Sequence, residues 1–214
     1  MSARPRLSML SLWPAREREC LELLALALAE LAGNPGPDID EDSINRRLMR
    51  FLDAAIYRSA YELAPVVYEG RSSPAPSDAV RASREFKRPD FAWLWTDDLA
   101  ADRLLSRREF VVECKRLGSE PFPTRYVVDG ILRFINASHA YGKDMRSGAM
   151  VGYMQSILVD DAVKRVNAAA SSRGVPTLTL RERRGDDEAK LEHQVMRGFD
   201  ISPFSLTHIW VRLT

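Results

Sequence analysis

The stretch that decides the fold is FVVECKR at 110–116. Phe110, Val111 and Val112 are β-prone and apolar, the composition of a strand buried on both faces. Side chains alternate across a strand, so Glu113 and Lys115 share one face. Cys114 points to the other, where a small apolar side chain suits a core. An acid and a lysine on one face at the end of so apolar a strand are costly unless they pair or bind something.

Upstream, FAWLW at 91–95 reads as a short strand introduced by Pro89-Asp90, and TDDLAADRLLSRRE at 96–109 as a polar connection. Asp90 lies 23 residues before Glu113, a separation that suits two antiparallel strands. Paired in that way, Asp90 and Glu113 converge. Two carboxylates brought together repel, and a hard cation such as Mg²⁺ relieves the repulsion through oxygen ligands.

Further out, the periodicity predicts a basic arm at 1–13 and a helix over 14–32, with Pro14 in its first turn and Gly33 at its end. The turn cluster GNPGPD follows at 33–38. A second helix over 40–63 carries Ile44, Leu48, Phe51, Leu52, Ala55 and Ile56 on one stripe. A strand at 66–68 and a Pro/Ser loop at 71–78 lead to the central pair. Beyond it come a loop at 118–124, a helix over 126–138, a strand at 149–154, a helix over 155–171, and late strands at 176–180 and 206–213. The charged stretch 181–192 between the late strands reads as solvated. Strands alternate with helices only in the later half. The expected class is therefore α/β, a mixed central sheet flanked by helices. Residues 1–39 form an N-terminal arm and helix, and 40–214 the α/β domain proper.

Pro89-Asp90, a gap, and Glu113-x-Lys115 after a hydrophobic strand resemble the PD-(D/E)xK motif of restriction-endonuclease-like nucleases. The element order over roughly 40–170 resembles that superfamily's core, here with an added N-terminal helix. The resemblance implies a metal-dependent nuclease acting on nucleic acid, DNA before RNA, in restriction, repair or anti-phage defence. It implies Asp90 and Glu113 as carboxylate ligands of Mg²⁺ (or Mn²⁺), the backbone carbonyl of Cys114 as a further ligand, and Lys115 as the catalytic lysine. Many members add a Glu from the helix before the sheet, for which Glu41 is the candidate and Asp42 or Glu62 the substitutes. Gln155 matches a Gln that some branches place after the fourth strand. Position 159 is Val, so the branch with Tyr four residues after that Gln is not matched. The alternative is a catalytically inactive subunit of the same fold that binds nucleic acid or a protein partner.

Arg84, Lys87 and Arg88 precede Asp90 and Arg116 follows Lys115, a basic rim that suits a phosphate backbone. Arg81, Arg103, Arg107, Arg108, Arg125, Tyr126 and Arg133 are further phosphate candidates, the basic ones also readable as ordinary surface charge. The tryptophans Trp13, Trp93, Trp95 and Trp210 read as packing residues. With 31 Lys and Arg against 30 Asp and Glu in 214 residues, the net charge is +1, so a nucleic-acid surface must be local. Two cysteines exclude a disulfide scaffold and a cysteine zinc site. His139, His193 and His208 are spaced as isolated residues, and there is no P-loop and no GxSxG elbow. The apolar run at 21–32 is short and carries Glu22 and Glu30, so no membrane span is expected. The chain reads as soluble and cytoplasmic. Its size, without an evident specificity domain, suggests a homodimer or a targeting protein partner.

Overall fold

The computed structural model describes residues 9–37, 40–61, 66–68, 88–96, 107–118, 120–143, 145–199 and 201–213. The loop at 71–78, Arg81, Arg84, Lys87, Arg103 and Glu62 lie outside the described residues. Helices α1 (Met9–Gly33) and α2 (Glu41–Arg58) precede β1 (Val66–Tyr68), β2 (Phe91–Thr96) and β3 (Arg107–Leu117). Helix α3 (Phe122–Tyr126) runs through a π-helical turn at Val127–Ile131 into α4 (Leu132–Ile135). Then come β4 (Ser147–Met154), α5 (Val159–Ser171), β5 (Thr179–Arg184), β6 (Glu188–Val195) and β7 (Phe204–Arg212). The seven strands form one sheet in the order β1-β2-β3-β4-β7-β6-β5. The pairs β3–β4 and β4–β7 are parallel and the rest antiparallel, so the sheet is mixed and flanked by helices, as expected.

Strand alternation divides the core in two. On one face Phe91, Trp93, Phe110, Val112, Cys114, Val151 and Tyr153 pack with Leu24, Leu28 and Leu31 of α1 and with Ile44, Leu48 and Leu52 of α2. On the other, Val111, Leu117, Met150 and Trp210 pack with Phe122, Val127, Ile131 and Phe134 of the α3–α4 segment and with Val159, Ala162 and Val166 of α5. Helix α1 is thus part of the main core. Burial of this apolar surface contributes roughly 25 cal/mol per Å² removed from water.

Several boundaries differ from the sequence expectation for local reasons. Helix α1 begins at Met9, with Pro14 inside it, because Trp13 is buried and donates its indole N–H to Ser147 Oγ at 2.7 Å, which holds the first turn on β4. Helix α2 stops at Arg58, where Ser59 turns extended and its N–H bonds Ile56 O. Helix α3 starts early because Pro123, in its first turn, has its φ preset for a helix. The polar stretch before α5 is not helical: Ser156 takes a φ of 57°, and the helix starts at Val159 with Asp160 and Asp161 favourable beside its N-terminus.

The largest correction concerns 181–192. It is a hairpin of β5 and β6 turned at Gly185, whose φ of 59° suits a residue without Cβ. Strand β5 is exposed along its length, while Ala189, Leu191, His193 and Val195 of β6 face the core. His193 and His208 are not isolated either. They sit on neighbouring strands with ring centroids 5.7 Å apart. Burial pushes His193 down to about 4 and His208 well below the ordinary histidine range, so both are neutral. Tyr126 joins them through a 2.8 Å hydrogen bond to His208 Nδ1 and accepts one from the Trp210 indole.

Candidate functional site

Strand β2 begins at Phe91, paired with Val112, so the residues of β3 from Glu113 to Leu117 run on without a β2 partner. Pro89 cannot donate to a ladder, and the chain bends at Asp90. The β3 amides left facing this gap are those of Cys114 and Arg116. Buried backbone N–H groups must find acceptors, and here two carboxylates supply them. Cys114 N–H donates to Asp90 Oδ2 at 2.7 Å, and Arg116 N–H donates to Glu41 Oε2 at 3.1 Å. Glu41 is the first residue of α2, whose N-cap Asp40 accepts from Ser43 N–H at 2.9 Å. Where one strand ends before its neighbour, two acids fold over the exposed edge.

Lys115 lies between these acids. Its Nζ is 2.8 Å from Glu41 Oε1, 2.9 Å from Glu113 Oε1 and 2.6 Å from the Cys114 carbonyl oxygen. Arg133 of α4 reaches the same Glu113 Oε1 at 2.6 Å. Two cations therefore share one oxygen of Glu113, while its Oε2 is buried without a hydrogen-bond partner. The helix can approach this closely because residue 130 is glycine. A Cβ there would lie 2.3 Å from Met150 Cε and 3.6 Å from Lys115 Cγ. The π-helical turn containing Gly130 sits directly before the turn that carries Arg133; such turns recur at functional sites.

Burial dominates the electrostatics. It raises Asp90 to about 6, with Lys115 and the Cys114 N–H pulling the other way. It raises Glu113 to about 8, reinforced by the Asp90 charge and opposed by Lys115 and Arg133. Burial alone would push the Lys115 ammonium down, but Glu113, Asp90 and Glu41 outweigh it and its pKa is raised. Lys115 is therefore a fixed positive charge. The Cys114 thiol is fully buried in the opposite core and pushed well up by that burial, so it is not a nucleophile at neutral pH.

Of the residues singled out from sequence, Glu41, Asp90, Glu113, Lys115 and the Cys114 backbone come together. Gln155 follows the end of β4, where its N–H donates to Leu117 O at 2.7 Å, three positions beyond Gly152, the neighbour of Lys115. Arg88 is exposed beside Pro89, and Arg116 is half-buried. Arg133, one of the phosphate candidates, pairs with Glu113, and Tyr126, another, is fully buried and cannot reach a phosphate. Tyr141 was not anticipated. It is buried, and the Arg133 guanidinium lies 6.0 Å from its ring centroid. The aromatic carries no motif that would mark it in sequence.

Among the described residues, no set of three or more His, Cys, Asp or Glu gathers to hold a metal ion. Glu41 is already engaged with Lys115 and Arg116. Asp90 and Glu113 nonetheless fit a hard cation, because a buried carboxylate oxygen without a partner stands next to a second carboxylate whose pKa is raised. An ion with oxygen ligands would relieve both. The chain matches no family model, no curated protein and no solved structure. No helix among the described residues is long and apolar enough to cross a membrane.

Proposed function

We propose that the chain is a metal-dependent nuclease of the PD-(D/E)xK type, hydrolysing phosphodiester bonds of nucleic acid, DNA in preference to RNA. The observation that carries this reading is the convergence of Glu41, Asp90, Glu113 and Lys115 on the unpaired end of β3, with Glu113 Oε2 buried and without a partner. Mg²⁺ or Mn²⁺ held by Asp90, Glu113 and the Cys114 carbonyl would polarise the phosphoryl group and lower the pKa of a bound water. Lys115 places a permanent charge where negative charge develops on the phosphoryl oxygens. Glu41 orients Lys115, and Gln155 is a secondary polar candidate at the same sheet edge. Arg88 and Arg116, with Arg84 and Lys87, would hold backbone phosphates. A homodimer or a targeting protein would supply specificity, in a cytoplasmic restriction, repair or anti-phage setting.

One observation favours a second reading, an inactive nuclease-fold subunit that binds nucleic acid or a protein. Lys115 and Arg133 already occupy Glu113 Oε1. Single-turnover cleavage of single- and double-stranded DNA and RNA with Mg²⁺ or Mn²⁺, beside binding titrations, separates the two. The nuclease reading expects Lys115→Ala to keep binding while cutting at least about a hundredfold more slowly. Cutting at the wild-type rate by that variant would sink the assignment of Lys115. Tight binding without cleavage by the wild-type protein would favour the inactive subunit.

A further inference from the structure

We infer that Arg133 is a resident counter-ion that holds Glu113 until a divalent cation takes its place, after which the freed guanidinium faces the phosphate of the nucleic acid. This rests on the nuclease reading and adds a regulatory residue to its site. The two cations on Glu113 differ in how they are held. Lys115 has three close partners, Glu41, Glu113 and the Cys114 carbonyl, and its side chain is 10% exposed. Arg133 has one ion-pair partner among the described residues, Glu113, and its side chain is 28% exposed, with Tyr141 beside it as a hydrogen-bond partner and its ring 6.0 Å away. Arg133 can therefore leave towards solvent, whereas Lys115 cannot.

Charge balance points the same way. Three carboxylates, Glu41, Asp90 and Glu113, stand against Lys115 and Arg133, which leaves one negative charge when all are ionised. With a divalent cation added, Lys115 and the ion balance the three acids alone, and Arg133 becomes one positive charge too many. Excess positive charge in a buried site is expelled or paired with an incoming anion. A phosphodiester is such an anion, and a planar guanidinium matches its paired oxygens.

The test is calorimetric titration of the metal-free full chain with Mn²⁺, comparing wild type, Arg133→Gln and Arg133→Lys. Removing the competing charge should tighten Mn²⁺ binding by about tenfold in Arg133→Gln, the scale of one charge-assisted hydrogen bond. Arg133→Lys, which keeps a charge but loses the fork, should fall between. The Mn²⁺-loaded Arg133→Gln protein should bind a DNA duplex less tightly, with a salt dependence shallower by about one unit of slope. A merely structural role for Arg133 predicts weaker metal binding on its loss. Mn²⁺ bound equally or less tightly by Arg133→Gln than by wild type overturns the proposal. Should Arg133→Gln fail to fold, the same result with Arg133→Lys overturns it. If wild type and variants alike bind no Mn²⁺, the nuclease reading falls as well, and that outcome is distinct from the first.

Discussion

Two regions of this protein are dense in ion pairs, and they behave differently. At the end of β3, Glu41, Asp90, Glu113, Lys115 and Arg133 meet with little access to water, and burial drives both Asp90 and Glu113 up. On the β5–β6 hairpin, Arg181 pairs with Glu192, Arg184 with Glu188 and Lys190 with Glu182, all substantially exposed. Water and salt screen the second set, so each pair holds its geometry at little gain. The number of charges is similar in kind, but the missing solvent is what turns the first set into a site. Buried ionic clusters are weak contributors to stability and are retained for other reasons.

The sharpest way to break this comparison is a pH series on the metal-free protein. Below about pH 3 both carboxyls are protonated in folded and unfolded chains. As pH rises, the unfolded chain ionises Asp90 near 3.8 and Glu113 near 4.5, while the folded groups hold their protons to about 6 and about 8. The folded state then binds more protons, so stability falls as pH rises from about 4 to about 8 and levels off above. The Asp90 share is about 3 kcal/mol. Chemical denaturation of wild type and Asp90→Asn should show a shallower slope between pH 4 and 6 in the variant, the remainder being the Glu113 share. A flat wild-type profile would mean that the cluster is as well solvated as the hairpin.

A smaller effect tests the two faces of β3. Cys114→Ala removes a buried sulfur from the α1–α2 side of the sheet and should cost about 1–2 kcal/mol by packing loss. The backbone N–H to Asp90 stays, so metal affinity measured by calorimetry should be unchanged. Loss of that affinity in a folded variant would give the thiol a chemical role. The smallest effect belongs to the hairpin. Arg181→Ala should change the unfolding free energy by at most about 1 kcal/mol, and the difference should shrink further in high salt. A larger cost would remove the contrast between the two regions.

The strand carrying Glu113 and Lys115 was legible because Phe110, Val111 and Val112 admit little else, and alternation then placed Cys114 in the opposite core. Asp90 could be placed because β2 is short and its partner strand near in sequence. The hairpin at 181–192 was hidden by charge. Alternation of Ala189, Leu191, His193 and Val195 with polar residues was there to read, but β5 beside it is exposed throughout and has no apolar face to declare it. The pairing of Arg133 with Glu113 and the place of Tyr141 beside it were out of reach for a different reason. Their placement depends on a π-helical turn and on the missing side chain of Gly130, which are properties of packing between a helix and a sheet. The partnership of His193 with His208 likewise follows from β6 lying beside β7, an order that sequence proximity does not dictate.

That order has a consequence for how the molecule is made. Strand β7 is the last of the seven to leave the ribosome, yet it sits in the middle of the sheet, between β4 and β6. Until Phe204–Arg212 emerges, β4 has an open edge and the hairpin has nothing to join. A nascent chain can assemble β1 to β4 on one side and β5 with β6 on the other, but as two unconnected pieces, each with apolar surface showing. Parallel, long-range pairing of this kind is slow and leaves such edges exposed to other chains. Synthesis of the final strand is therefore the event that welds the molecule, and a translation stop before Phe204 would leave two fragments seeking partners elsewhere.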